Sequence, residues 1–155
     1  MPQQPNFDLV SAHRYFAVDC FNRAWDLIDK TQRTTEEDEQ MILLGLASLW
    51  HWSQRPDFTP TNQSVGYWQT SRIYAMLGQV ENARRYGQLC LEACQGEGIL
   101  PFYLGYAYEA LARAEMVAGN RAKMADFLQK ASQVTERMSD PEAKKQLLDD
   151  LSTIR

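Results

Sequence analysis

Two stretches of this chain repeat one helical pattern at an offset of 41 residues. Aligning residues 64–92 on 105–133 pairs Tyr67 with Tyr108, Arg72 with Arg113, Gly78 with Gly119 and Gln88 with Gln129. Ser71 and Ala112, Leu77 and Ala118, Tyr86 and Phe127, and Cys90 and Ala131 are conservative matches. A period of this order means stacked helical units, none of which buries its apolar face alone. The pattern predicts an all-α chain: a right-handed stack of about three antiparallel helical hairpins with a C-terminal capping helix.

The rest of the chain fits that plan. Tyr15, Phe16, Phe21, Trp25 and Ile28 recur at helical spacing and predict a first helix over 7–30. Thr35 precedes the acidic turn Glu36-Glu37-Asp38, a helix start favoured by capping and the macrodipole. The second helix, to about residue 54, is apolar almost all round, which predicts a buried central element with Leu43, Leu46, Leu49 and Trp50 shielded from solvent. Pro56 and Pro60 make 55–60 an irregular link. Helices then follow over 64–77, 80–94, 102–118 and 121–138, with Gly78 and Gly119 as stops. Asp140-Pro141 opens a last helix over 141–154, a capping acid followed by the residue preferred at the first helical position. The organisation expected is one helical-repeat domain, 1–155, with an N-terminal hairpin at 7–54, repeats at 64–95 and 102–138, and a cap at 141–154.

Charge narrows the partners. Residues 1–62 carry nine acids and five bases, and 63–155 carry eleven of each. Nucleic acid requires clustered positive charge, so it is not an expected partner. No run approaches the ~18–20 apolar residues that span a bilayer, so a membrane is not expected either. Met1-Pro2-Gln3-Gln4-Pro5 has neither the basic region nor the apolar core of a signal peptide, and a cytoplasmic location follows as the expectation. Cys20, Cys90 and Cys94 form no disulfide pattern and read as small buried thiols.

Within each unit, Tyr67-x2-Thr70-Ser71-x2-Tyr74, Leu77-Gly78 and Ala83, and more loosely Tyr108-x2-Leu111-Ala112, Gly119 and Ala131, resemble a tetratricopeptide repeat. The departures are Gly87, where that family has a large side chain, Glu115 for tyrosine, Met124 for alanine, and a period longer than its ~34 residues. A second likeness is carried by His51-Trp52, Thr59-Pro60-x-Asn62, Trp68-Gln69-x-Ser71-Arg72-x-Tyr74-Ala75-x-Leu77-Gly78 and Ala107-Tyr108-Glu109-Ala110-Leu111-Ala112-Arg113-Ala114. This pattern is similar to a group of small bacterial helical proteins with no assigned activity.

The tetratricopeptide resemblance implies that the first helix of each hairpin lines a concave groove. Mapped here, the groove residues are Trp68, Arg72, Tyr106, Glu109 and Arg113. Trp68 and Arg72 lie one turn apart, so the guanidinium can stack on the indole. Ser48, His51 and Arg55 form a polar stripe on the otherwise apolar second helix and complete the candidate site. Arginines among aromatics suit a carboxylate or an acidic peptide. Only His13 and His51 are present, with no metal-ligand spacing and no Gly-rich phosphate loop, so no metal, cofactor or catalytic residue is expected. The reading is a non-catalytic module binding a protein or acidic peptide. The alternatives are a homo-oligomeric scaffold, in the simplest case a homodimer, and a small-molecule site or enzyme centred on His51 and Arg72.

Overall fold

A computed structural model describes Met1 and residues 3–155 as seven α-helices, with no strand among the described residues. Pro2, part of the N-terminal segment read above, lies outside the described residues. In chain order the helices are α1 Leu9–Ile28, α2 Thr35–Ser53, α3 Pro60–Met76, α4 Val80–Ala93, α5 Pro101–Ala118, α6 Arg121–Thr135 and α7 Pro141–Ser152. Local chemistry sets their ends. Asp140 caps α7 through the Glu142 N–H, with Pro141 at the first helical position, as its sequence predicts. Thr34 rather than Thr35 caps α2, in a capping box with Glu37. Pro60 opens α3 instead of ending a loop, because a proline at the first helical position forfeits an N–H that has no partner there anyway. Thr59 and Asn62 close the capping box around it. Gly78 and Gly119, the paired glycines of the repeat, follow α3 and α5 with φ of +71° and +73°, a conformation that favours glycine.

Successive helices pack as neighbours: α1 on α2, α3 on α4, α5 on α6. Further contacts of α2 with α3, α4 with α5 and α3 with α5 join these pairs, and α7 lies on α5 and α6. The core is divided accordingly. Cys20, Ala24, Met41, Leu44 and Ile73 fill the space among α1, α2 and α3. Tyr74, Ala83 and Ala114 fill that among α3, α4 and α5. Tyr106, Ala131, Leu147 and Leu151 join α5, α6 and α7.

Two departures from the tetratricopeptide pattern have structural reasons. A Cβ on Gly87 would sit 3.0 Å from Leu111 Cδ2 and 3.4 Å from Ser71 Oγ, so glycine lets α4 approach α3 and α5 closely. Glu115 is buried and takes both forks of Arg84, at 2.8 and 2.9 Å, which ties α4 to α5. That hydrogen-bonded ion pair holds the Glu115 carboxyl below its usual range.

The second helix is not the shielded centre its composition predicts. Leu43 and Trp50 are exposed, and Leu46 and Leu49 are only half-buried. Neighbours, α1 and α3, cover two sides of α2 and leave a third open. The most enclosed helix is α5, buried at every position from Gly105 to Glu115 except Tyr108.

Candidate functional site

Three of the eight candidate residues, Trp68, Arg72 and Arg113, converge on a fourth, the buried carboxylate of Glu109, and a fifth, Tyr106, packs beside Trp68. Glu109, fully enclosed on α5, accepts from Trp68 Nε1 on Oε2 at 2.8 Å. Its Oε1 accepts from Arg113 Nε at 2.8 Å and from Arg72 Nη1 at 3.3 Å. The repeat explains this convergence. Trp68 and Glu109 are equivalent positions 41 residues apart, as are Arg72 and Arg113, and α3 packs directly on α5. Equivalent residues of adjacent units are therefore spatial neighbours, and two arginines share one acid.

Helix α7 completes the cluster. Arg113 Nη2 donates to the Asp150 carbonyl at 3.3 Å and to Thr153 Oγ1 at 2.8 Å. The Tyr106 hydroxyl donates to Asp150 Oδ2 at 2.5 Å. Burial first, then the negative Asp150 carboxylate, pushes the Tyr106 phenol far up. Arg113 is buried with Nε and Nη2 engaged, whereas the Arg72 side chain keeps 25% of its surface and makes one 3.3 Å bond. Desolvation first, then the neighbouring Arg113, lowers the Arg72 pKa against the opposing pull of Glu109 and Asp150. Arg72 is thus the accessible cation of the site. It does not stack on Trp68. The guanidinium that lies over an indole is that of Arg55, 3.9 Å from the Trp52 ring centre.

Aromatic rings extend from the cluster in both directions. Trp68 lies 5.5 Å from Trp25 and 5.4 Å from Tyr106, and Tyr106 lies 4.9 Å from Phe102, ring centre to ring centre. Trp68, Cys90, Phe102, Tyr103, Tyr106 and Gln146 surround a small apolar cavity of about 120 Å³. Phe102, Tyr103 and Gln146 also wall a larger open cleft of about 640 Å³, bordered by Arg137, Lys145 and Asp149.

The other three candidates lie elsewhere. Ser48 is buried against α1 and donates to the Ala17 carbonyl at 2.7 Å. His51 faces His13 across the α1–α2 seam, Nδ1 to Nδ1 2.8 Å. Burial, then the neighbouring His13, lowers its pKa. Arg55 holds Asp57 with two bonds of 2.9 and 2.8 Å, which brings that exposed carboxyl down to about 2. Only Ser48 and His51 lie on α2; the helix ends at Ser53, so Arg55 falls past it, and the three side chains meet three different partners. His51 and Arg72 belong to separate clusters and form no common centre. The network residues that sequence reading missed, Asp150 and Thr153, sit on and just past α7, outside the repeat that points to the others.

Cys90 and Cys94 are free and buried, and the Cys90 thiol donates to the Ser64 carbonyl at 3.2 Å. No group of three or more His, Cys, Asp or Glu side chains among the described residues is placed to hold a metal ion. No helix among them is long and apolar enough to cross a membrane. Comparison of the chain with known protein families, with curated proteins and with solved structures finds no match.

Proposed function

We propose that the chain is a non-catalytic binding module, a tetratricopeptide-like stack of helical hairpins capped by α7, that seats a protein segment across α3, α5 and α7. One observation carries this reading. A partly open guanidinium, Arg72, stands one turn from Trp68, whose ring helps to wall an apolar cavity that shares Phe102, Tyr103 and Gln146 with a larger open cleft of mixed character. Binding sites commonly pair an apolar wall with a few oriented polar groups.

The cavity suits a single large apolar side chain rather than a cofactor. Gln146 at its rim has an amide that can pair with a peptide backbone, and the mixed charges of the cleft suit a polypeptide better than a strongly charged ligand. An acidic group on the segment would reach the spare donors of Arg72. Glu109 and Asp150 already offset both arginines, so the seat attracts such a group weakly at a distance. Specificity would come from the apolar anchor.

An array of short peptides, each pairing one large apolar residue with one acidic residue, tests the proposal. Wild-type protein should bind a subset of them saturably. Phe102→Ser, at the cavity rim, and Arg72→Gln should each abolish that binding while far-UV circular dichroism stays unchanged. An array with no bound peptide, or equal binding by both folded variants, would refute it.

A further inference from the structure

The outer side of α2 carries an apolar stripe that the fold leaves uncovered. Leu43 is 60% exposed and Trp50 55% exposed, seven residues apart on one helical face, with half-buried Leu46 and Ala47 between them. Helix α1 continues the stripe. The Trp50 ring lies 4.9 Å from His51, His51 lies 5.4 Å from Phe16, and Phe16 lies 5.2 Å from Tyr15. Phe16 and Tyr15 are 44% and 63% exposed. At about 150–250 Å² for a large side chain, these four residues present roughly 400 Å² of contiguous apolar surface. A patch of that size on a single chain is commonly an interaction site.

We propose that this face is a self-association surface, on which α2 packs antiparallel against α2 of a second copy of the chain. Three observations select a second copy as the occupant. First, the apolar positions 43, 46, 47 and 50 are spaced symmetrically about their midpoint, so the stripe reads the same in both directions. A two-fold axis between Leu46 and Ala47 sets Leu43 of each copy on Trp50 of the other, as an interface built from one patch used twice requires. Second, the charges at the two ends of the stripe are complementary. Exposed Glu36 and Glu39 in the first turns of α2 would lie toward the other copy's α2 C-terminus, where the charge of Arg14 reaches Asp57. The antiparallel arrangement also opposes the helix dipoles. Third, the area fits. A standard interface covers about 800 Å² per partner. About 65% of a homodimer interface is apolar, or roughly 500 Å², most of which the patch supplies. This surface shares no residue with the proposed peptide seat, so either assignment can fail without the other.

Sedimentation of the full chain and one engineered cysteine test the proposal. At about 100 µM, above the weak end expected for an interface of this size, the wild-type protein should sediment as a dimer. Leu43→Glu and Trp50→Glu, at positions already open to solvent, should yield monomers with unchanged far-UV circular dichroism. Ala47→Cys places a thiol beside its own copy at the two-fold axis and should form an intermolecular disulfide under mild oxidation. The native Cys20, Cys90 and Cys94 are buried and contribute little background. A wild-type monomer at that concentration overturns the proposal. So does a dimer that survives both glutamates, or one that gives no cross-link through Cys at position 47.

Discussion

Removing the Glu109 carboxylate should be among the most damaging single changes to this protein, and the structure sets the scale. Its two oxygens accept from Trp68, Arg113 and Arg72, and Arg113 Nη2 also lies 2.7 Å from Oε1. Glu109→Ala deletes the shared acceptor and leaves a buried guanidinium beside a second one. Breaking a buried pair from one side costs about 3–5 kcal/mol. For a chain of this size each kcal/mol lowers Tm by about 2–4 °C, so the melting point should fall by roughly 6–20 °C. Glu109→Gln separates charge from shape. Its amide oxygen can still take the arginines, but its NH₂ then meets the Trp68 N–H, donor against donor. The loss should be about 1.5–3 kcal/mol, the worth of a hydrogen bond to a charged group. Urea unfolding followed by far-UV circular dichroism measures both variants. The paired replacement Glu109→Leu with Arg113→Met should be less harmful than Glu109→Ala alone, since an apolar pair removes the stranded charge. A loss under about 1 kcal/mol for Glu109→Ala, or a double variant worse than the single, would show that the cluster is not the buried, satisfied network described above.

Two smaller effects follow from other parts of the structure. A Cβ on Gly105 would collide with Leu147 Cδ2, so Gly105→Ala should push α7 off α5 and cost about 1–3 kcal/mol by overpacking; hydrogen exchange should report the loosening in α7 first, and a neutral variant would refute the contact. The pKa of His51 is lowered from 6.5 in the folded chain, so the unfolded chain binds its proton first as pH falls. The His51 contribution is therefore complete above pH 6.5 and fades as pH drops through the depressed folded value, whereas Glu115, lowered from 4.5, contributes acid sensitivity only below that point. Melting temperatures across the intervening range should decline for the wild type and stay level for His51→Phe; equal slopes would exclude the histidine pair as the source.

The sequence was most legible where the repeat operates. Its 41-residue offset located the turn glycines Gly78 and Gly119, and it aligned Arg72 with Arg113, the two arginines that meet on Glu109. Composition was a poorer guide. An apolar helix can be recognised from its residues, but which side lacks a neighbour depends on packing, and α2 has its open side at Leu43 and Trp50. The Ser48–His51–Arg55 stripe misled for a related reason: helical spacing gives a shared face, not a shared partner. The start of α3 was readable in principle, because Thr59-x-x-Asn62 with an intervening proline is a capping signal. The α7 groups that hold Arg113 and Tyr106 could not be inferred, since nothing in the repeat links residues 150–153 to it.

Helices that pack mainly on their sequence neighbours make mostly local contacts, and such chains fold quickly. Where helical units contact only their sequence neighbours, each unit tends to gain and lose order by itself, with stability adding up unit by unit. The Glu109 cluster works against that independence. Through Arg72 and Trp68 it holds α3 to α5, and through Arg113 it holds α5 to the end of α7, across separations of 37 to 41 residues. Loss of any one of these helices strands a charge or a hydrogen bond on another. The carboxylate should therefore give the middle and the end of the chain a common melting transition, with α7 leaving together with its neighbours instead of fraying ahead of them.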